Sequence, residues 1–185
     1  TNARTSPSSA KSPPVARPAS RVASVLAFPA VSHAERITRS ATIVLESTID
    51  KVFPLFGPVR EKDWAEGWEP EIIYGDGEVA ERMIFSTPSR YADEGRCIWI
   101  VSQFRAEVHF IEYLVSAPDR AWFITVSCHA MGEKTGAMVT YTYTGWSAVA
   151  NEKNAESIRR MFADDLLDWQ EQLNHFVLTG RKLKE

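Results

Sequence analysis

Glu112 is the residue whose type and position most directly predict chemistry in this sequence. It lies in the aromatic and β-branched segment 106–115, where alternation places it on one strand face with Phe110 and Leu114. A carboxyl group on an apolar face is costly unless it is paired, protonated or hydrated. Glu112 is therefore a candidate ligand anchor or general acid/base. A partner such as Arg96, or the opposite strand face, would instead make it structural.

Aromatic residues recur on the predicted inner faces of neighbouring strands. Alternation places Tyr141 and Tyr143 on one face of segment 138–146, and we assign the Trp99 face of segment 97–104 to the interior. Such alternation describes a packed core equally well, but the polar edges of buried Trp and Tyr need partners, which favours a pocket. The candidate pocket residues are Trp64, Trp68, Trp99, Phe110, Glu112, Val126, Cys128, Tyr141, Tyr143, Phe162, Leu166 and Trp169.

Trp64 and Trp68 lie in segment 62–70, which follows a helix break and precedes a strand. One hypothesis is a lid that closes over a ligand. The alternative is a hydrophobic plug that seals the open end of the sheet. A lid becomes ordered on binding, whereas a plug is rigid with or without ligand.

Histidine and cysteine residues give little support for a metal site or a nucleophile. His109 and His129 lie on neighbouring predicted strands, and Glu107 would complete a set of metal ligands, but their parity is that of the outer face. We therefore expect surface histidines and no metal. Cys97 and Cys128 are expected to be buried, reduced thiols. The sequence contains no glycine-rich nucleotide motif and no Gly-x-Ser-x-Gly motif, so we expect no cofactor.

The elements that position these residues follow a simple order. A first strand over 37–45 leads into short helices between 48 and 56, and Gly75 and Gly77 lie in the turn of a hairpin with arms 71–74 and 82–86. The strands 97–104, 106–115, 121–131 and 138–146 come next. Strands joined by short turns form an antiparallel meander, so the pattern predicts an α+β fold.

A long amphipathic helix is predicted over 151–177, with Gly180 as its stop. Its apolar positions recur every three or four residues and form one stripe, which must be buried on the sheet. The stripe consists of Ile158, Phe162, Leu166, Trp169, Leu173 and Phe176.

The formal net charge of −3 divides unevenly. Residues 1–34 carry four basic and no acidic side chains, and the other 151 residues carry a net charge of −7. The Ser/Pro/Ala-rich composition of 1–34 predicts a disordered tail: a linker or non-native remnant, a cleaved targeting segment, or an electrostatic docking arm. We expect one domain over 35–180 and a charged end over 181–185.

The composition of the chain limits the classes of partner that it could bind. An acidic pI of 5.9 argues against nucleic acid as the main partner, and the sequence contains no apolar run of about 18 residues that would insert stably in a membrane. We expect a cytoplasmic protein of undetermined oligomeric state.

Several segments in this order resemble the SRPBCC superfamily, the helix-grip proteins that include START domains, polyketide cyclase/dehydrase-like proteins and the birch-allergen group. The matching segments are 47–53 (STIDKVF), 64–70 (WAEGWEP), 99–101 (WIV), 136–141 (GAMVTY) and the terminal helix. Segment 64–70 resembles an uncharacterised bacterial branch. The resemblance implies a curved seven-stranded antiparallel sheet wrapped around the long helix, with two short helices after the first strand and a cavity between sheet and helix.

Three functions are compatible with this resemblance. The first is binding or carrying a hydrophobic or aromatic small molecule of lipid, polyketide, isoprenoid or quinone type. The second is an enzyme of the cyclase/dehydratase kind that uses Glu112 or a pocket tyrosine as general acid/base. The third is an interaction module like the co-chaperone branch, suggested by Tyr113 and Phe123, which strand parity places on the outer face.

Overall fold

The computed structural model describes residues 34–183. The predicted tail, apart from Ala34, and the last two residues of the predicted charged end lie outside the described residues. Within 34–183, no helix is long and apolar enough to cross a membrane.

Seven strands form one antiparallel sheet in the spatial order β1-β7-β6-β5-β4-β3-β2. The strands are β1 (Glu35–Leu45), β2 (Glu71–Tyr74), β3 (Ile84–Pro88), β4 (Arg96–Arg105), β5 (Phe110–Ala117), β6 (Arg120–Met131) and β7 (Lys134–Gly145). All neighbours in the chain from β2 to β7 are paired, and β1 returns to pair with β7. The predicted α+β class and seven-stranded antiparallel sheet are confirmed.

A short helix, α1 (Ile49–Val52), and two 3₁₀ turns, Phe53–Phe56 and Arg60–Asp63, connect β1 to β2. Phe53, Leu55 and Phe56 are buried. They anchor the connection to the core, so the segment that follows is held against the sheet.

The C-terminal helix packs on β7 and β1 and consists of α2 (Ala148–Arg160), a π-helical turn (Met161–Asp165) and α3 (Leu166–Thr179). It begins three residues earlier than predicted because the Ser147 hydroxyl accepts a hydrogen bond from the Ala150 amide, 3.0 Å away, and caps the helix. It ends at Gly180, which adopts the left-handed conformation (φ 68°) that glycine tolerates best.

The predicted stripe of the helix faces the core. Leu166 and Leu173 are buried, and the other four members pack against the core while remaining partly exposed. The helix also makes polar contacts with the sheet edge: the side-chain oxygen of Asn174 accepts from the Glu46 amide, and its amide group donates to the Val44 carbonyl. These contacts fix the helix along β1.

Burial alternates cleanly on β6 and β7. Trp122, Ile124, Val126 and Cys128 are buried on β6, and Val139, Tyr141 and Tyr143 on β7. On β4, Cys97 and Val101 are buried while Ile98 is 38% exposed, so the Trp99 face is the inner one. These are the faces that alternation predicts.

The face prediction for β5 was wrong. Ile111, Tyr113 and Val115 are buried, and Phe110 and Glu112 therefore face away from the core. Parity predicts an outward Tyr113 once the face of Phe110 and Leu114 is assigned to the interior. In the structure the Tyr113 hydroxyl donates to the Phe56 carbonyl at 2.6 Å, so its polar atom is satisfied in the interior.

Of the two histidines, His129 is at the surface as expected, whereas His109 lies before β5 and not on it. His109 precedes β5 as a left-handed residue (φ 51°) after a 3₁₀ turn, and its ring packs edge-on against Phe53. His129 is exposed at the far end of the ladder. Residues 34–183 contain no group of three His, Cys, Asp or Glu side chains arranged to hold a metal ion.

Candidate functional site

A cavity of about 350 Å³ lies between the inner face of the sheet and the C-terminal helix. This volume is at the lower end of the range for small-molecule pockets, roughly 300–1,000 Å³. A second, smaller cavity of about 30 Å³ adjoins it and shares five of its lining residues: Glu61, Trp68, Trp99, Ile124 and Trp169.

Aromatic side chains form much of the wall of the main cavity. They are Trp68, Tyr91, Trp99, Trp122, Tyr141, Tyr143 and Trp169. The ring of Trp68 meets Trp99 edge-on with centroids 5.4 Å apart, and Tyr141 stacks on Tyr143 at 5.8 Å. Offset and edge-to-face contacts of this kind hold the rings in fixed orientations.

The indole nitrogens of two of the predicted tryptophans are satisfied by the protein itself. Trp99 donates to the Thr87 hydroxyl at 2.9 Å, and Trp68 donates to the Pro58 carbonyl at 2.7 Å. These rings therefore present their apolar surfaces to the cavity and keep their N–H groups for the scaffold.

Trp68 reaches the cavity through a sharp turn. Gly67 has φ 69°, a conformation that side chains other than glycine rarely adopt, and it separates Trp68 from the buried Trp64. Trp64 is fully buried, donates to the Leu55 carbonyl at 2.8 Å and packs edge-on against Trp169. Segment 64–70 thus contains one tryptophan in the core and one on the cavity wall.

The twelve predicted pocket residues separate into groups. Trp68, Trp99, Tyr141, Tyr143 and Trp169 line the main cavity, and Val126 lines the smaller one. The remaining inner residues are part of the packed core beside the cavities: Trp64, Cys128, Phe162 and Leu166. Burial raises the pKa of Cys128 to about 12, which is consistent with an inert thiol.

Glu112 and Phe110, the other two, lie on the outer face of β5. The Glu112 carboxylate accepts hydrogen bonds from Ser102 Oγ at 2.9 Å and Gln103 Nε2 at 3.0 Å. Ser102 stands at a register shift in β4, which aims its hydroxyl at β5. Glu112 is therefore a satisfied group on the outside of the sheet, and the prediction that it lines the pocket was wrong.

Glu61 is the carboxyl group that does line both cavities. It is 8% exposed, and among residues 34–183 no side chain or backbone group hydrogen bonds to its carboxyl oxygens. Burial raises its pKa to about 8. Sequence reasoning missed Glu61 because it lies in the charged segment 60–63, where a glutamate is usually solvated.

Arg120, another residue of the cavity wall, belongs to a buried ion pair. Arg120 donates to Glu94 through Nε at 2.7 Å and Nη2 at 2.9 Å. Its guanidinium lies over the rings of Trp122 and Tyr91, 4.8 Å from each centroid. Burial alone raises the pKa of Glu94, but hydrogen bonds from Arg120 and Ser89 outweigh it, so the pKa is below its ordinary value. Sequence reasoning missed this pair because its members lie 26 residues apart, each beside a turn.

The helix contributes polar groups through its π-helical turn. Met161 and Asp165, the first and last residues of that turn, line the cavity. Asp165 pairs with Arg90 and with Arg160, at 3.2 Å in both cases. Single π turns in long helices are frequent at functional sites because they shift the register of side chains.

Comparison with solved structures identifies the fold of the chain. An aromatase/cyclase, Zhui, from Streptomyces sp. R1128 is 14% identical with a TM-score of 0.59, over 82% of this chain and 100% of that chain. Norcoclaurine synthase from Thalictrum flavum is 13% identical with a TM-score of 0.58, over 79% and 88%. The Mll3558 protein from Rhizobium loti is 17% identical with a TM-score of 0.57, over 76% and 99%.

The chain therefore has the helix-grip fold that the resemblance of its sequence segments implied. No family model matches the sequence, and no curated protein sequence matches it significantly. At such low identities the likeness establishes the fold, and any activity must be argued from this chain's own cavity.

Proposed function

We propose that this protein binds or carries a hydrophobic or aromatic small molecule in the main cavity. The observation that supports this most directly is a volume of about 350 Å³ walled by seven aromatic rings. A packed core leaves few voids larger than a water molecule, so an aromatic-lined space of this size is suited to a ligand.

The fold neighbours are consistent with such a role. Norcoclaurine synthase was solved in complex with dopamine and hydroxybenzaldehyde, two small aromatic molecules. We expect the ligand of this chain to be of similar scale, because the cavity is small and its walls are rings held in fixed orientations.

Filling the cavity tests the proposal. Ile124 lines both cavities, so Ile124→Trp places an indole in the space that a ligand would occupy. The uncharged probe N-phenyl-1-naphthylamine should become fluorescent with the parent protein and remain dark with Ile124→Trp. Glu112→Gln, on the outer face, is the matched control and should bind as the parent does.

Two results would overturn the proposal. One is the absence of probe binding to the folded parent protein. The other is equal binding by Ile124→Trp, because that would locate the probe elsewhere. Circular dichroism of each variant establishes that the fold is retained.

A second candidate function is acid/base catalysis of the cyclase/dehydratase kind. Glu112 is outside the cavity, so the carboxyl group available for this role is Glu61, with Tyr141 and Tyr143 as the pocket tyrosines. A buried carboxyl whose pKa is about 8 exchanges protons near neutral pH, as efficient general acids and bases do. The chemistry would be removal and return of a proton next to a carbonyl group.

Exchange of carbon-bound hydrogen tests this second function. Incubating 2-acetylnaphthalene in D₂O with the protein should replace its methyl hydrogens by deuterium, which NMR follows directly. Glu61→Gln should reduce that exchange to the rate without protein. If parent and variant accelerate exchange equally, Glu61 is not the base.

The interaction-module hypothesis loses one of its two supports, since Tyr113 is buried rather than outward.

A further inference from the structure

We infer that Glu61 and Tyr141 form a two-donor site for one oxygen atom of the ligand, which is an uncharged aromatic compound carrying a carbonyl or phenol oxygen. This inference rests on the proposed function, because it specifies which small molecules the main cavity accepts. It is carried by two polar groups that the protein leaves without a partner beside the same space.

The first group is the Glu61 carboxyl, which is more than nine-tenths buried and lines both cavities. The second is the Tyr141 hydroxyl, on a residue that is 3% exposed and lines the main cavity. Within residues 34–183, neither group has a hydrogen-bond partner. Buried polar groups in native proteins are nearly always bonded, so two that converge on one cavity indicate a ligand.

Other cavity tyrosines provide the contrast. Tyr113 donates to the Phe56 carbonyl at 2.6 Å, and the Tyr91 hydroxyl contacts Glu156, Ser157 and the Lys153 carbonyl. Burial raises the pKa of the Tyr143 hydroxyl, and the nearby Ser157 side chain lowers it, so this hydroxyl has a polar neighbour. The Tyr141 hydroxyl makes no hydrogen bond within residues 34–183 and is therefore available to a ligand.

Glu61 and Tyr141 are within electrostatic reach of each other. Burial raises the pKa of Tyr141 first of all, and the charges of Tyr143 and Glu61 raise it further. The pKa of Tyr113 is raised by burial and then by Glu61. The Glu61 carboxyl therefore lies among phenols that remain protonated over the physiological range.

The protonation states make both groups donors. Burial raises the pKa of Glu61 to about 8, so the carboxyl is predominantly neutral at pH 7 and has an O–H to donate. The Tyr141 phenol is neutral because its pKa is raised well above 10. Two O–H donors are complementary to an oxygen with two lone pairs, such as that of a ketone.

The charged groups around the cavity disfavour an anionic ligand. Arg120 is paired with Glu94, and Arg90 is paired with Asp165. The thiol of Cys97 is neutral at physiological pH because burial raises its pKa. The two other acidic residues that line the cavity, Glu66 and Asp168, are exposed on their respective segments.

A cationic amine is the alternative to a ligand with an oxygen acceptor. The pH dependence of binding distinguishes these two classes of ligand. An amine binds the ionised carboxylate, so its affinity rises with pH as Glu61 loses its proton. An oxygen acceptor needs the protonated carboxyl, so its affinity falls. The sign of the change is therefore decisive.

The experiment uses three naphthalene probes of matched shape with the full chain. They are 2-acetylnaphthalene (a ketone), 2-isopropenylnaphthalene (the alkene that replaces C=O by C=CH₂) and 1-(2-naphthyl)ethylamine (an amine). Isothermal titration calorimetry at about pH 6.5 and about pH 9.5 gives the dissociation constants. The pKa of Glu61 is about 8, so the fraction of protein with a protonated Glu61 falls from nearly all at the lower pH to a few per cent at the higher pH. Ketone binding should weaken about 30-fold as a result.

The alkene should bind more weakly than the ketone at the lower pH and show no pH dependence. Glu61→Gln retains an N–H donor but cannot ionise, so it should bind the ketone with no pH dependence. Tyr141→Phe should lose most of the preference for the ketone over the alkene and keep its affinity for the alkene.

Equal binding of ketone and alkene at the lower pH would overturn this inference and leave the proposed function standing. Tighter binding of the amine, with affinity rising towards pH 9.5, would overturn it in favour of a cation site. Failure of all three probes to bind would contradict the proposed function itself.

Discussion

Arg120 and Glu94 meet in a bidentate ion pair whose side chains are 3% and 2% exposed. Arg120 is the first residue of β6, and Glu94 lies in the turn before β4. Asn154 and Ser157 of α2 accept from the same guanidinium, at 3.3 and 3.4 Å. This one side chain therefore connects a strand, a turn and the helix at the cavity wall.

We predict that Glu94→Gln lowers the free energy of unfolding by about 3–5 kcal/mol, because it leaves the buried Arg120 charge without its counter-ion. Urea denaturation at neutral pH measures the loss. Asp93→Asn is the matched control. Asp93 is the adjacent residue and pairs with Lys153 at 2.6 Å, but its side chain is 68% exposed, so little change is expected. An equal loss in both variants would contradict a special role for the buried pair.

The raised pKa of Glu61 predicts that the protein loses stability as the pH rises, whereas most carboxyl groups have the opposite effect. Its folded pKa, about 8, is above the ordinary value of 4.5. The contribution of Glu61 to the free energy of unfolding is therefore fully present below pH 4.5 and is lost as the pH rises through 8. Between these two values the free energy of unfolding falls by about 1.4 kcal/mol per pH unit.

Glu61→Gln removes this penalty, and its stability at pH 7 should exceed that of the parent by on the order of 3 kcal/mol. Urea denaturation at several pH values provides the comparison. The free energies of unfolding of the two proteins should become equal near pH 4.5. A constant difference at all pH values would mean that Glu61 has an ordinary pKa. A residue that destabilises the fold yet lines the cavity is expected where function requires a poised carboxyl.

Glu112→Gln should leave both stability and probe binding nearly unchanged. The Glu112 carboxylate accepts from Ser102 and Gln103 on the outer face of the sheet, and a glutamine side-chain oxygen can accept from the same donors. Thermal unfolding and a probe titration check this. Loss of binding in this variant would place the functional face of β5 on the other side from that in the structure.

The sequence predicted the fold well because period-two alternation is strong on β6 and β7. Polar threonines separate Val139, Tyr141 and Tyr143, so the inner face of β7 is unambiguous. On β5 both faces carry apolar residues, and alternation alone cannot choose between Phe110 and Ile111. The face of Phe110 and Leu114 was taken as the inner one, whereas Tyr113 on the other face is buried and the Phe56 carbonyl accepts from its hydroxyl.

The cavity was less predictable than the fold. Its aromatic wall follows from strand parity, but its carboxyl group does not. Glu61 comes from a short 3₁₀ turn in a charged segment, where glutamate is usually solvated. Its burial depends on tertiary packing around the cavity that it shares with Trp68 and Trp169, which no local pattern specifies. Pairs that are distant in sequence, such as Arg120 with Glu94, were missed for the same reason, because tertiary packing brings them together.

Trp64 and Trp68 should respond differently to substitution by alanine. Trp64 is fully buried, so Trp64→Ala should cost about 3–5 kcal/mol of stability. Trp68 lies on the cavity wall, where its ring contacts Trp99. Trp68→Ala should weaken binding of N-phenyl-1-naphthylamine about tenfold, since such ring contacts contribute roughly 0.5–1.5 kcal/mol beyond burial.

Hydrogen exchange of residues 64–70 decides whether this segment is a lid or a plug. Both indole N–H groups are bonded to backbone carbonyls, at 2.8 Å for Trp64 and 2.7 Å for Trp68, which favours a plug. We therefore expect slow amide exchange in the free protein and little further slowing on probe binding. If exchange is fast without the probe and slow with it, segment 64–70 closes over the ligand, and Gly67 is the position at which the chain would turn.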